Sequence, residues 1–271
     1  MVKNTISSLP DYDNPPINEV VFGIQFKQLN LKSPHIGFFW EKLTKEEYPE
    51  YKEMATLPHI VEAFGGSNIQ PPRISIESFE CPPLPRVFFI NRIQNHLIQI
   101  QQDRFIQNWR KIRKEDDYPR YNYLFPKFVN SLNQFNLFLE EQNIGKLEPD
   151  QYELTYVNHI PRGEAWRSLK DIGNIFPEFQ GEVEKRFLDE PEDVFYRKVF
   201  RLPNNQGRLH VSLRLSVSKE LKDQVMVFDL TARGFNSDNM KNWFDIAHEW
   251  IVRGFFELTS DSVQTAIWKR K

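Results

Sequence analysis

The sequence predicts an α+β protein. The expected core is an antiparallel sheet, or two sheets, with helices packed on one face. It is built from pseudo-duplicated β-α-β-β-β halves plus a C-terminal helix. Three observations predict this. Runs such as VVFGIQF and RLHVSLRLSV alternate with period two, as half-buried strands do. Phe125, Phe128, Leu132, Phe135 and Leu139 recur at spacings of three and four, which lays one helix face on a core. The order strand, helix, three strands occurs twice along the chain, as a repeat of elements rather than of residues. Helices on one side of an antiparallel sheet leave the other side to solvent or to a partner.

The elements follow in order. In YDNPPINEVVFGIQF, Val20, Phe22, Ile24 and Phe26 form the apolar side of a first strand. Pro15 and Pro16 cannot donate ladder hydrogen bonds, so they stand before the strand and stiffen its approach. Glu19 sits at the strand's mouth, solvated or paired. A helix is expected from Pro34 to Met54, capped by Ser33 and broken or kinked at Pro49. GGSNIQPP reads as a loop and Arg73–Ser78 as a short strand. Arg86–Asn91 and His96–Gln102 read as a hairpin around RIQN, the second strand continuing with a bulge into RFIQNWRK. That segment then opens a second round. A helix is expected over Tyr121–Gln142, a strand over Gln151–Ile160, then an irregular segment. DVFYRKVFR, RLHVSLRLSV and QVMVFDLTARG follow as three strands. LPNNQG between the first two is a turn, since Asn and Gly accept positive φ. A last helix spans Asp238–Glu257. The halves are placed at 1–114 and 115–271 and are expected to form one compact unit.

Composition narrows the function classes. With 271 residues the chain is long enough for a sizeable core. The formal net charge of −2 gives no global field for nucleic acid or an anionic membrane. The 23 phenylalanines suit wide sheet–helix interfaces, and some suit a partner surface. The single cysteine, Cys81, cannot form an internal disulfide, which fits a reducing compartment. No basic group beside it marks it as a nucleophile. No stretch has the apolar length of a signal peptide or membrane span. The expected location is cytoplasmic, with no membrane partner.

Motifs for chemistry are mostly missing. There is no phosphate loop, no GxGxxG and no GxSxG. HEWIV begins like a zinc-protease helix at His248 and Glu249, but position 252 is Val. No two of the six histidines stand at ligand spacing. Glu50-Tyr51-Lys52 matches the E-x-K of a nuclease core only in letters, since it falls in the expected first helix. No cofactor and no metal are indicated, and no catalytic set is recognised, so the reading leans away from an enzyme.

Three constellations remain. On the polar side of the late strands, His210, Ser212, Arg214 and Ser216 lie opposite Leu209, Val211, Leu213, Leu215 and Val217. Asp229, Thr231 and Arg233 lie opposite Phe228 and Leu230. A His, an Asp and two Arg on one face suit anion binding or acid–base work by a small-ligand binder or hydrolase; an ordinary wet face is the alternative. In RFIQNWRKIRK, Arg104, Arg110, Lys111, Arg113 and Lys114 surround Phe105 and Trp109, as phosphate contact and base stacking would need. Glu115–Asp117 offset that charge. The C-terminal helix and tail are aromatic nearly all round. That implies deep burial or docking. His248 reads as a core or boundary histidine with Asp245 one turn away, and Trp268 either packs back or meets a partner.

The segments YDNPPINEVVFGIQF, LIQIQQDRFIQNWRK, ELTYVNHI and DIAHEWIVRGFFELT, in that order, resemble a sporadically distributed family of uncharacterised bacterial and archaeal cytosolic proteins with an N-terminal N-P-P-I-x-E-V motif. The resemblance carries no catalytic residues to this chain. The family's scattered occurrence is similar to that of defence and toxin–antitoxin genes. The leading expectation is therefore a non-enzymatic protein that binds another macromolecule. The partner would be a protein: an effector encoded nearby, which it neutralises or assists, or a second copy. A nucleic-acid module using 104–114 and a ligand binder on the late strands stand as alternatives.

Overall fold

The computed structural model describes residues 8–43, 46–62, 84–180, 187, 189–217, 223–235 and 239–271. The expected strand Arg73–Ser78, the loop GGSNIQPP and Cys81 lie outside the described residues. The chain is α+β. Its strands are β1 (Ile17–Phe26), β2 (Glu50–Met54), β3 (Arg86–Ile90), β4 (His96–Gln101), β5 (Arg104–Arg110), β6 (Pro149–Pro161), β7 (Phe195–Arg201), β8 (Arg208–Val217) and β9 (Gln224–Phe235). Its helices are α1 (Ser33–Lys42), α2 (Tyr121–Glu141), α3 (Ile172–Ile175), α4 (Met240–Leu258) and α5 (Asp261–Ala266). Among the described residues nine strands form one antiparallel sheet in the order β2-β3-β4-β5-β1-β6-β9-β8-β7.

The chain forms two compact units. The first comprises Met1–Val20, Leu154–Arg233 and Asn239–Lys271, the second Val21–Glu153 and Gly234–Asp238. β1 and β6 contribute residues to both. Position 114, where the sequence suggests a division, lies inside the second.

In the second unit, α1 and α2 cover one sheet face. Phe22 stacks on Phe128 at 5.3 Å and Phe105 on Phe135 at 5.3 Å, while Phe39 meets Phe135 and Phe138 at 5.2 Å. The stripe read from the sequence is this contact surface. Truncating a fully buried ring such as Phe128 or Phe135 to Ala costs about 3–5 kcal/mol. In the first unit α4 plays the same part: Trp243, Phe244, Ala247, Ile251 and Phe255 are buried. Gly254 lies where a Cβ would come within 3.1 Å of Leu209, so the helix sits close against β8. The tail packs back. Trp268 meets Phe255 at 4.9 Å, and the backbone of 269–271 bonds to Asp11 and Asp13.

Several boundaries differ from those expected, each for a local reason. The first helix stops at Lys42, and Glu50–Met54, expected as its last turn, is strand β2. Pro49 has no N–H for a helix and favours extended chain around it. Glu50-Tyr51-Lys52 is thus on an edge strand. β4 does not continue into β5. The chain reverses at Gln102-Asp103, pairing Gln101 with Arg104. The segment after β6 holds α3 and two 3-10 turns, and α5 follows α4. The LPNNQG turn is as expected, with positive φ at Asn204, Asn205 and Gly207. Pro16, though unable to donate, accepts from His159 N–H at 2.8 Å.

Candidate functional site

The sheet face turned away from the helices is the reverse face. Alternation and register assign its residues. Phe105, Ile98 and Phe89 point to α1 and α2, so Arg104, Gln101, Gln99 and Asn108 point the other way. In the second unit this reverse face is covered by the chain itself.

The cover is the extended segment Leu57–Glu62, held by glutamine amides. Gln101 donates to Leu57 O at 2.8 Å and accepts from Leu57 N–H at 2.9 Å. Gln25 does the same with Ile60, at 2.6 and 3.1 Å. Gln151 donates to Ile60 O at 2.5 Å and accepts from Glu62 N–H at 2.8 Å. A primary amide carries one acceptor and two donors, so each matches a peptide unit. His59 adds contacts to Asp103 at 3.0 Å and Asp150 at 3.4 Å.

This cover decides the fate of the 104–114 cluster. Arg104 is only 7 % exposed. It lies under the strap, donating to Gln25 and to Pro58 O at 2.9 Å. Trp109 is on the opposite face, 3 % exposed, against Tyr118 at 5.6 Å. Arg110 donates to Gln94 O, and Arg113 pairs with Asp116 at 3.1 Å. Lys111 is half-buried just beyond β5. Arg104, Trp109, Arg110 and Lys111 therefore do not form one surface. Alternation explains it: positions 104 and 109 differ by an odd number, so a straight strand sends them apart.

In the first unit the reverse face is formed by β7, β8, β9 and the part of β6 from Leu154 onward. Here the structure brings the late-strand residues together. His210 is opposite Thr231, Ser212 opposite Asp229, and Arg208 opposite Arg233. Arg214 reaches Asp229 at 3.4 Å. Burial raises the Asp229 carboxyl above its ordinary value, with Arg214 and Ser212 pulling the other way. His159, also on this face, is lowered by burial and then by Arg214. β7 adds residues that sequence reasoning missed. Arg197 and Arg201 join the same face, Arg197 meeting His210 Nδ1 at 3.4 Å. So do Phe195, 71 % exposed, and Val199, 42 % exposed. The signal was present in FYRKVFR, where alternate positions give Phe, Arg, Val, Arg. With basic and apolar residues on both faces, no single side stood out.

The histidine of α4 is structural. His248 Nδ1 meets Tyr156 Oη at 2.9 Å, and burial lowers it to about 4 against the nearby Asp245 and Glu249. A crevice lined by Phe176, Phe179, Tyr196, Leu213 and Phe228 has room for about one water molecule, too little for an organic ligand. Among the described residues, no group of three or more His, Cys, Asp or Glu forms a metal-holding cluster, and no helix is long and apolar enough to cross a membrane.

Each unit is thus a helix-backed stretch of antiparallel sheet, its reverse face strapped in the second unit and arginine-rich in the first, where Arg197, Arg201 and Arg214 are exposed. Compared with known proteins, the chain matches no protein-family model and no curated protein.

Proposed function

We propose a non-enzymatic binding protein that docks an anionic partner on the reverse face of β7, β8 and β9. The observation that carries this reading is charge. Arg197, Arg201, Arg208, Arg214 and Arg233 share that face with His210 and the single acid of these strands there, Asp229. Five guanidinium groups against one carboxylate leave a net positive face, and guanidinium favours carboxylate or phosphate partners. A protein partner fits best, since Phe195 and Val199 add exposed apolar surface beside the charges. The resemblance to the N-P-P-I-x-E-V family adds the expectation that the partner is a neighbouring-gene product.

A second reading keeps the surface and changes the partner. Arginines beside an exposed Phe195 suit single-stranded nucleic acid, where phosphate contacts and base stacking combine. Co-expression with the neighbouring gene products, comparing wild type with Arg208→Glu/Arg214→Glu, tests the main reading. Co-purification that the double variant abolishes supports it. Association that survives charge reversal removes this face from consideration. Salt-dependent retention of an oligonucleotide that the same variant abolishes moves the assignment to nucleic acid.

A further inference from the structure

Strand β7 is an edge of the sheet. Its hydrogen-bond phase follows from one contact. Leu202 N–H donates to Gly207 O at 2.9 Å, so 202 and 207 are a hydrogen-bonded pair. Such pairs recur at every second residue of an antiparallel ladder. Leu209, Val211 and Leu213 of β8 therefore bond to Phe200, Lys198 and Tyr196 in the same register. The N–H groups of Arg197, Val199 and Arg201 point outward, away from β8.

Natural edge strands are guarded by shortness, proline, bulges, covering chain or charge; the guard β7 carries is charge, in Arg197, Lys198 and Arg201, which repels a like strand but not an acidic one. β7 is seven residues long, has no proline, and pairs with β8 without a break in register. The flank toward the helices is occupied: Glu178 takes both Tyr196 and Lys198, and Phe179 packs edge-on against Tyr196 at 5.2 Å. The reverse flank shows Phe195 and Val199 to solvent between Arg197 and Arg201.

We infer that β7 accepts an extended acidic segment of a partner protein as an added tenth strand. This rests on the binding reading above and names how the partner attaches. Backbone groups of β7 supply the ladder, and the side chains choose the sequence. Carboxylates four residues apart on the incoming strand face Arg197 and Arg201, and apolar residues two positions from each, on the same side of that strand, cover Phe195 and Val199. A second copy of this chain is disfavoured by the same residues. Edge-to-edge pairing of two β7 strands gathers Arg197 and Arg201 of both on one face, and like charges on facing strands destabilise the pair.

The test uses the full chain and a fluorescent ten-residue peptide, Thr-Val-Thr-Glu-Thr-Val-Thr-Glu-Thr-Val, whose valines and glutamates share one side of the strand, followed by anisotropy. The lysine–valine counterpart and an oligo-dT strand are the comparison probes. Saturable binding of the acidic peptide alone is expected, weakened at least about tenfold by Val199→Pro. That substitution removes an outward N–H and leaves the β7–β8 ladder intact, a position where proline is tolerated. Should Val199→Pro lose its thermal transition, Val199→Asp and Val199→Lys carry the test. The acid is expected to weaken binding and the base to retain it. Peptide binding abolished by Arg208→Glu/Arg214→Glu but untouched by Val199→Pro and Val199→Asp overturns the added strand and keeps the face. A dimer dispersed by Val199→Pro, without peptide binding, overturns the acidic occupant. Preference for oligo-dT over the acidic peptide overturns it too.

Discussion

Two stretches of reverse face, both polar in sequence, have opposite fates. Over β1, β4, β5 and the start of β6 the outward residues include Gln25, Gln101 and Gln151, and the chain's own backbone lies on them. On β7, β8 and β9 they include Arg197, Arg208, Arg214 and Arg233, and the outermost of these stay wet. Residue type explains the difference. A glutamine amide is neutral and both donates and accepts, so it pairs with a peptide unit and is buried at little cost once satisfied. A guanidinium only donates and carries charge; Arg104 is buried because neutral oxygens of Gln25 and Pro58 accept from it, and elsewhere the group favours water or an anion. Polarity alone does not tell a covered face from an open one; what marks the covered face is three glutamines that both donate and accept, with one arginine satisfied among them.

The largest expected effect breaks the comparison at the strap. Arg104→Ala leaves Gln25 and Pro58 O without their shared charged donor, at a cost of about 3 kcal/mol. Gln25→Ala with Gln151→Ala strips the amides from Ile60 and Glu62, at about 1–3 kcal/mol for each change. Arg197→Ala on the exposed face is expected to stay within about 0.5 kcal/mol of wild type. Urea unfolding measures all three. Equal losses on the two faces would mean that the strap contributes nothing particular to stability.

A smaller effect sharpens the comparison by confining it to the reverse faces. The helix-covered faces are alike in holding one neutral imidazole each. Burial lowers His96 to about 4, helped by Lys127, and His248 to about 4 despite Asp245 and Glu249. A base with a depressed native pKa contributes stability that is whole above its unfolded value near 6.5 and is lost as pH falls toward the native one. Stability is therefore expected to decline between about pH 6.5 and pH 4, and His248→Gln to flatten part of that decline. Imidazole NMR titrations check it directly. Either ring titrating near 6.5 in the folded protein would show that its burial is not what the fold implies.

The helix-covered side was legible and the reverse side only partly so, for one reason. Burial of a single face writes a period into the sequence. Leu209, Val211 and Leu213 announced β8, and Phe125 to Leu139 announced α2. β2 carries no such record, because Glu50 to Met54 is a five-residue edge with little burial and a composition that suits helices; Pro49 was its one clue. The β4–β5 turn has no Gly or Asn in it. That His210, Arg214, Asp229 and Arg233 share one face was legible because their strands alternate cleanly. The strap was invisible because a segment gripped by its backbone leaves no side-chain pattern. Its only trace is the glutamines at reverse-face positions, where a solvated sheet would serve as well with Thr, Lys or Glu.

The smallest effect lies within the exposed face and asks how wet it is. Asp229 is the exception among the arginines: desolvation raises its carboxyl, and Arg214 at 3.4 Å only partly offsets this. The fold therefore prefers the protonated acid. That preference stabilises the fold at pH values below the unfolded carboxylate value and fades as pH rises through the raised native one. At neutral pH the ionised Asp229 is a net cost, so Asp229→Asn is expected to raise the melting temperature there. The gain should shrink as pH is lowered, because the wild-type carboxyl takes up its own proton before an ordinary carboxylate would. Arg214→Ala should enlarge the benefit of Asp229→Asn, because it removes the charge that offsets the desolvation. A loss of stability in Asp229→Asn at neutral pH would reverse the order of these terms. The face would then be a network held together by its single acid rather than a cationic surface that tolerates one, and the case for an anionic partner would weaken with it.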